Sequence, residues 1–211
     1  MEKSALEYGR YYHIYNRGNN SESLFKEPDN YRHFLSLYKK YIIPIADTLA
    51  YCLMTNHIHL VVRIKEENEI RSFEELHLFE KNKKGLKTDR KPTPSHQFAH
   101  LFNAYSKAIN KHYNRTGSLF EHPFERRIIE SEPYLQSSIS YTHYKPVKAR
   151  IVDTPSEYTW SSYNALISDK PTHINRELVM TIFGDKDYFI LYHSDMPAIH
   201  EFVNSATSGY M

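Results

Sequence analysis

The sequence predicts an α+β fold, a split βαβ sandwich built on a central antiparallel sheet. Three observations predict it. The chain has 211 residues, enough for about one domain with a hydrophobic core. Hydrophobic residues make up 40% of it, as in globular proteins. Its periodicity changes in the order strand, helix, strand, strand, helix, strand. We expect these six elements at Tyr11–Arg17, Asn30–Tyr41, Asp47–Met54, His57–Ile64, Gln97–Tyr113 and Pro123–Glu130.

Each of the first three strands is predicted from alternating side chains and from the turn that ends it. Tyr11–Arg17 alternates between two faces and is followed by the turn residues GNN. Asp47–Met54 and His57–Ile64 are separated only by Thr55 and Asn56, a break of the length that joins antiparallel strands. These two strands should therefore form a hairpin.

The helices are predicted from apolar side chains at helical spacing. Asn30–Tyr41 and Gln97–Tyr113 each carry one apolar stripe of this kind. A third helix, Tyr134–Tyr144, should follow the strand Pro123–Glu130. We expect it to end before Pro146, because the residue preceding a proline disfavours the helical conformation.

The remaining segments are less regular. Lys65–Ser95 is dense in Glu and Lys and contains a glycine and two prolines, which indicates a charged helix or linker. A short helix is predicted at Arg176–Phe183. We divide the chain into a main domain, residues 1–163, and a C-terminal extension, residues 164–211, which should pack on the same domain.

Composition bears on location and on partners. The net charge is +2, from 27 Lys and Arg against 25 Asp and Glu, so charge alone does not identify a nucleic-acid-binding protein. Cys52 is the single cysteine and cannot form a disulfide within the chain, and residues 1–12 lack the pattern of a secretion signal. The longest apolar run, Ile42–Tyr51, is interrupted by polar residues and is too short to span a membrane. We expect a cytoplasmic protein without a membrane segment.

His57 and His59 are the first candidate site residues. Side chains two apart on a strand project from the same face, so both imidazoles can reach one metal ion. Two histidines are fewer than a closed structural zinc site needs, so the metal interpretation is an open, catalytic position. The alternative is a chance pair without a ligand. Ile58 and Leu60 should point into the core, leaving a half-buried strand with a polar second face.

Tyr141 and Lys145 are the second candidates, because they lie one helical turn apart and share a face. A tyrosine can be a covalent nucleophile when a metal or a base favours its phenolate. It can equally be a packing residue of an aromatic-rich helix. Phe120 and Phe124 lie between Arg115 and the pair Arg126 and Arg127, a mixture of residues suited to phosphate contact and base stacking.

Several segments also follow one another in a recognisable order. They are NRG at residues 16–18, MTNHIHLVV at 54–62, NRTGSLFE at 114–121, YTHYKPVKARIV at 141–152 and WSSY at 160–163. Together they resemble the single-tyrosine HUH transposases, in particular the branch of REP-associated tyrosine transposases, over residues 11–163. The resemblance implies a ferredoxin-like fold. In that fold the strand with the two histidines lies at the centre of the sheet, and a helix places the tyrosine beside it.

The resemblance also implies a chemistry. His57 and His59 would bind a divalent metal, magnesium or manganese, and Tyr141 would attack a phosphodiester of single-stranded or hairpin DNA to form a 5′-phosphotyrosine link. The protein would be a metal-dependent endonuclease and strand transferase that acts as a monomer or a homodimer. The side chains expected to contact DNA are Arg17, Arg115, Arg126, Arg127 and Lys148. The acidic residues expected to lie away from it are Glu66, Glu67, Glu74 and Glu75.

Lys145 departs from the family's pattern. In the family this position supplies a third metal ligand through an Asn or Gln oxygen, whereas a lysine ammonium has no acceptor. Lys145 could be deprotonated by burial, could contact the phosphate, or could leave the third ligand to His143 or to water. Two other functions follow as alternatives. One is a transposase-derived DNA-binding protein with weak or no cleavage, and the other is a metal-free domain in which these side chains only pack.

Overall fold

Four strands form one antiparallel sheet, as the sequence predicts. The computed structural model describes residues 5–72, 75–76, 91–121 and 123–194. The strands are β1 (Tyr11–Arg17), β2 (Ala46–Met54), β3 (His57–Ile64) and β4 (Glu125–Ile129). They lie in the order β2-β3-β1-β4, and each neighbouring pair is antiparallel. The α+β class with a central antiparallel sheet is confirmed, and β3 is one of the two inner strands.

Helices cover this sheet. Those in the described residues are α1 (Pro28–Tyr41), α2 (Pro94–His112), α3 (Glu132–Lys148), α4 (Tyr163–Ile167), α5 (Arg176–Phe183) and α6 (Lys186–Ser194). α5 has the predicted bounds, and α1 and α2 begin slightly earlier than predicted. Both of these helices start at a proline, whose missing N–H would be unpaired in the first turn anyway.

The end predicted for the third helix is wrong. α3 continues through Pro146 to Lys148. Pro146 removes only the hydrogen bond that its own N–H would have made, and later amides still bond backwards. The Ala149 N–H donates to the Lys145 carbonyl at 3.0 Å, and the Ile151 N–H donates to the Pro146 carbonyl at 2.9 Å. Pro146 is also buried, so packing supports the last turn.

The sheet carries a hydrophobic core on each face. The core beneath α1 and α2 includes Ile14, Ile58, Leu60, Phe34 and Tyr105. The core on the other face, beneath α3 and the C-terminal helices, includes Leu49, Val61, Ile139, Val179 and Phe189. The expectation of a half-buried β3 is therefore wrong. Val61 is fully buried on the histidine side, because helices cover that face as well.

The C-terminal helices belong to the second core. Leu166, Phe183 and Phe189 pack in the same cluster as Val61 of β3. The division of the chain at residue 163 stays a prediction. The charged segment Lys65–Ser95 is described only in part, since residues 73–74 and 77–90 lie outside the described residues. No helix in the described part of the chain is long and apolar enough to cross a membrane.

Candidate active site

Three imidazoles meet on one face of the sheet, near the start of β3. The ring centroids of His57 and His59 are 5.1 Å apart and the rings meet edge to face. In β1, the Nε2 of His13 lies 2.9 Å from the Nδ1 of His59, and the two rings are stacked. His57 and His59 were predicted from the sequence, whereas His13 was not. The alternation of Tyr11–Arg17 places His13 on a face, but only strand pairing brings it to His59.

Neighbouring groups orient the two candidate ligands. The Nδ1 of His57 lies 2.7 Å from the Oδ1 of Asn56. Because an amide oxygen can only accept, Nδ1 donates and Nε2 keeps its lone pair. When His59 donates from Nδ1 to His13, its Nε2 is likewise unprotonated. Rings whose second nitrogen is held by a neighbour are typical of metal-binding histidines.

The turn that carries Asn56 is held against the end of β1. The Gly18 N–H donates to the Asn56 carbonyl at 2.8 Å. A Cβ at position 18 would overlap the backbone carbonyl oxygen of Glu22. The glycine of the NRG segment is therefore needed for a close backbone approach. The strand register pairs Arg17, the preceding residue, with His57.

All three imidazoles are neutral at pH 7. Burial lowers the pKa of His57 to about 4, and the positive charge of Lys145 adds to the effect. Burial, followed by the charges of Lys145 and Arg127, lowers the pKa of His13 to about 3. Burial is also the main cause that lowers the pKa of His59, again with Lys145 next. Neutral imidazoles keep the lone pairs that a metal ion requires.

Tyr141 and Lys145 form a hydrogen-bonded pair on α3. The Nζ of Lys145 donates to the Tyr141 hydroxyl at 2.8 Å and lies 4.0 Å from the centroid of its ring. Burial alone would raise the pKa of Tyr141, but the hydrogen bond and the charge of Lys145, together with Lys148, lower it below its ordinary value. The pair thus favours the phenolate, which is the nucleophilic form.

A pocket of about 410 Å³ opens beside these groups. His57, His59 and Lys145 line it, together with residues 15–17 at the end of β1 and with Glu121 and Glu125. Lys145 lines the pocket and its Nζ donates to the Tyr141 hydroxyl, so this hydroxyl lies one hydrogen bond away from a group that lines the pocket. The two glutamates were missed by the sequence analysis, and no spacing signal pointed to them.

The donor set fits an open divalent-metal position with two protein ligands. His57 and His59 present neutral rings on one face, each held by a neighbour. Among the described residues, no cluster of three or more His, Cys, Asp and Glu could hold a metal ion, so substrate oxygens and water would have to complete the shell. Lys145 adds no ligand, because it donates to Tyr141. His143 adds none either, because it is fully buried and both of its ring nitrogens are hydrogen-bonded to other side chains.

Three of the five cations predicted to contact DNA lie around this site. Arg17 lines the pocket and is exposed. Arg127 pairs with His13 in the strand register and lies on the histidine face. The Nζ of Lys148 is 5.5 Å from the centroid of the Tyr141 ring.

The other two predicted cations are engaged elsewhere. Arg126 pairs with Ile14, on the opposite face of the sheet, and its guanidinium lies 4.9 Å from the centroid of the Phe124 ring. Arg115 forms an ion pair with Glu22. A contact of either arginine with DNA stays a prediction.

Two of the four acidic residues expected to lie away from the DNA, Glu66 and Glu67, follow the end of β3 that is opposite to His57. β3 runs from His57 to Ile64, which at about 3.3 Å per residue is about 23 Å, and Glu66 and Glu67 come after its end. Glu75 lies in the segment after them, where its carboxylate accepts from the Ser72 N–H at 2.7 Å. Glu74 lies outside the described residues.

The architecture is similar to that of a solved protein. The match is a REP-associated tyrosine transposase bound to a REP hairpin, with a TM-score of 0.56 and 13% sequence identity, covering 81% of this chain and 87% of the other. The two chains share a fold. No protein-family model matches the sequence, and no curated protein matches it. At this level of identity the likeness shows the fold alone.

Proposed function

We propose that the protein is a metal-dependent, single-stranded DNA endonuclease and strand transferase of the transposase type, acting on hairpin or palindromic DNA. The observation that carries the proposal is that Lys145, which lines one pocket together with His57 and His59, donates to the Tyr141 hydroxyl. The fold shared with a tyrosine transposase bound to a hairpin supports the choice of DNA as substrate.

In the proposed reaction, the Tyr141 oxygen attacks the phosphorus of a phosphodiester. The new O–P bond replaces the bond to the 3′-oxygen, which takes up a proton and leaves as a free 3′-OH, while the 5′-phosphate stays on the tyrosine. The Lys145 ammonium orients the attacking oxygen and stabilises its negative charge. Because the phosphotyrosine link retains the energy of the broken bond, a 3′-OH can attack it and rejoin the strand.

His57 and His59 would hold the metal ion, which would polarise the scissile phosphate and stabilise charge in the transition state. Asn56 and His13 orient these rings, and burial keeps them neutral. Imidazole ligands suit manganese better than magnesium, and both remain candidates.

Cations around the pocket would hold the DNA backbone. Arg17, Arg127 and Lys148 lie around the pocket and Tyr141, so phosphates on both sides of the scissile bond could contact them. Such binding would come from local clustering, because the net charge is only +2. The proposal is compatible with a monomer and with a homodimer.

The alternative is a transposase-derived DNA-binding protein with weak or no cleavage. One observation favours it: the position expected to bring a third metal ligand carries an ammonium that donates to Tyr141. In this alternative the protein would still bind a hairpin through the cations around the pocket, Arg17, Arg127 and Lys148.

The experiment is to incubate the protein with Mn²⁺ or Mg²⁺ and a labelled DNA hairpin that carries single-stranded flanks, and to look for a denaturation-resistant protein–DNA adduct. We expect an adduct from the wild type and none from Tyr141→Phe. Tyr144→Phe, on the same helix, is the matched control and should retain the adduct. Hairpin binding without any adduct would favour the alternative, and neither binding nor adduct would refute both.

A further inference from the structure

A second pair of histidines lies on the buried side of α3 and takes no part in the proposed chemistry. His143 is fully buried and His193, on α6, is 4% exposed. The Nδ1 of His143 lies 2.9 Å from the Nε2 of His193. The Nε2 of His143 lies 2.7 Å from the hydroxyl of Ser162. This buried contact links α3 to α6.

The partners at each end determine the direction of every hydrogen bond. His193 donates from Nδ1 to the Phe189 carbonyl at 2.7 Å, because a carbonyl can only accept. Its Nε2 must then accept from His143, whose own Nε2 accepts from the Ser162 hydroxyl. The Ser162 oxygen in turn accepts from the Tyr51 N–H at 2.9 Å. One arrangement of protons satisfies the whole network, with both imidazoles neutral.

The network joins three separate parts of the chain. His143 belongs to α3, His193 to α6, and Ser162 is bonded to Tyr51 of β2. Aromatic packing surrounds it, with the ring centroids of His193 and Phe189 4.1 Å apart. A fully satisfied buried network of this kind makes one arrangement strongly preferred, because any shift leaves polar atoms unpaired.

His143 also has a defined relation to the nucleophile. It lies two residues after Tyr141 and two residues before Lys145, and two residues correspond to about 200° around a helix. Tyr141 and Lys145 share one face, and His143 occupies the opposite one. Holding His143 in place therefore determines the rotation of α3 about its axis, and with it the direction of the Tyr141 hydroxyl.

We propose that His143 is a positioning residue, and that the network of His193, His143 and Ser162 sets the rotation of α3 so that Tyr141 and Lys145 face the pocket. The C-terminal extension would thus support the active site through α6. The inference rests on the proposed function for its catalytic consequence. A displacement of about 1 Å at a reacting atom can cost on the order of 10²-fold in rate, so a modest rotation would suffice.

The test uses the full chain and the labelled hairpin under single-turnover conditions. Two quantities are measured: the adduct rate at saturating DNA, and the DNA concentration at which the rate is half of this saturating value. Ser162→Ala and His193→Leu each remove one end of the network. In both variants we expect the adduct rate at saturating DNA to be at least tenfold lower than in the wild type. The DNA concentration that gives half of the saturating rate should change less than twofold. His193→Gln keeps an acceptor oxygen for His143 and should recover most of the rate.

Gln136→Leu is the matched control. Gln136 also lies on α3 and donates to the Ile182 carbonyl at 2.7 Å, so its loss removes a different bond to the C-terminal helices. The variants are compared at temperatures where unfolding curves show each one folded. Equal rates in Ser162→Ala and Gln136→Leu, or a loss confined to stability, would overturn the positioning role.

Amide hydrogen exchange over residues 141–148 separates this inference from the proposed function. We expect faster exchange there in Ser162→Ala than in Gln136→Leu, whether or not the wild type forms an adduct. A wild type without adduct would refute the proposed function. If amide exchange over residues 141–148 is unchanged in Ser162→Ala, the network does not position α3 and the inference is refuted.

Discussion

Removing the Lys145 ammonium tests the central contact of the proposed site. Lys145→Met keeps most of the side-chain length and removes the ammonium group, which donates a hydrogen bond to the Tyr141 hydroxyl at 2.8 Å. Burial, which raises the pKa of Tyr141, would then be opposed mainly by Lys148. The phenolate should form at higher pH than in the wild type, so the rise of the adduct rate with pH should shift upward.

The size of the effect follows from the contact. A hydrogen bond to a charged group contributes about 1.5–3 kcal/mol. Both side chains are only partly buried, so solvent screening favours the lower end of that range. About 1.5 kcal/mol corresponds to a roughly tenfold lower adduct rate at pH 7. The deficit should shrink as the pH rises towards the ordinary pKa of tyrosine.

The assay is the single-turnover adduct rate from pH 6.5 to pH 10 for the wild type, Lys145→Met and Lys145→Arg. Arginine keeps a positive charge, so Lys145→Arg should retain more of the rate at pH 7 than Lys145→Met. If Lys145→Met has the wild-type rate and the wild-type pH profile, the reasoning about the ammonium is refuted.

Lys145→Asn separates the role of this residue towards Tyr141 from its role towards the metal. Without the ammonium, repulsion of a divalent ion disappears and an amide oxygen becomes available, so Mn²⁺ should bind more tightly. The adduct rate at pH 7 should nevertheless fall, because Tyr141 loses its charged partner. Mn²⁺ affinity and adduct yield measured on the same samples decide this, and unchanged Mn²⁺ affinity would contradict an ion held near Lys145.

Three further predictions concern binding and stability. Arg17→Ala and Arg127→Ala should each weaken hairpin binding and lower the slope of log affinity against log salt by about 1 in binding titrations. An unchanged slope in both variants would contradict a contact of these two cations with DNA. Gly18→Ala should lower the midpoint of urea unfolding, because the new Cβ would overlap a backbone carbonyl oxygen, and an unchanged midpoint would contradict that close approach. Burial lowers the pKa of His193 to about 4 from 6.5. As the pH falls, the unfolded chain therefore takes up a proton on this residue before the folded chain does. The folded state should lose about 2 kcal/mol of stability in this way between pH 7 and pH 5. His193→Gln should remove that part of the pH dependence in urea titrations at the two pH values, and an unchanged slope would contradict a buried neutral ring.

Much of the fold could be predicted because it depends on near neighbours in the chain. The strand pattern of Tyr11–Arg17 and the hairpin of β2 and β3 follow from alternation and from a two-residue turn. Arg176–Phe183 was predicted with its observed bounds. α4 and α6 were not predicted, since α4 has only five residues and α6, unlike Arg176–Phe183, carries no single apolar stripe.

The sequence by itself determined the order of the elements, the shared face of His57 and His59, and the shared face of Tyr141 and Lys145. Each of these follows from a period of two or of 3.6 residues, which any local segment carries. Only the tertiary structure decided that His13 adjoins His59, 46 residues away, and that His143 meets His193, 50 residues away. It also decided which of Arg126 and Arg127 lies on the histidine face of the sheet, and that both faces of β3 are covered. Contacts of this kind depend on strand register and on the packing of distant helices, which no local pattern encodes.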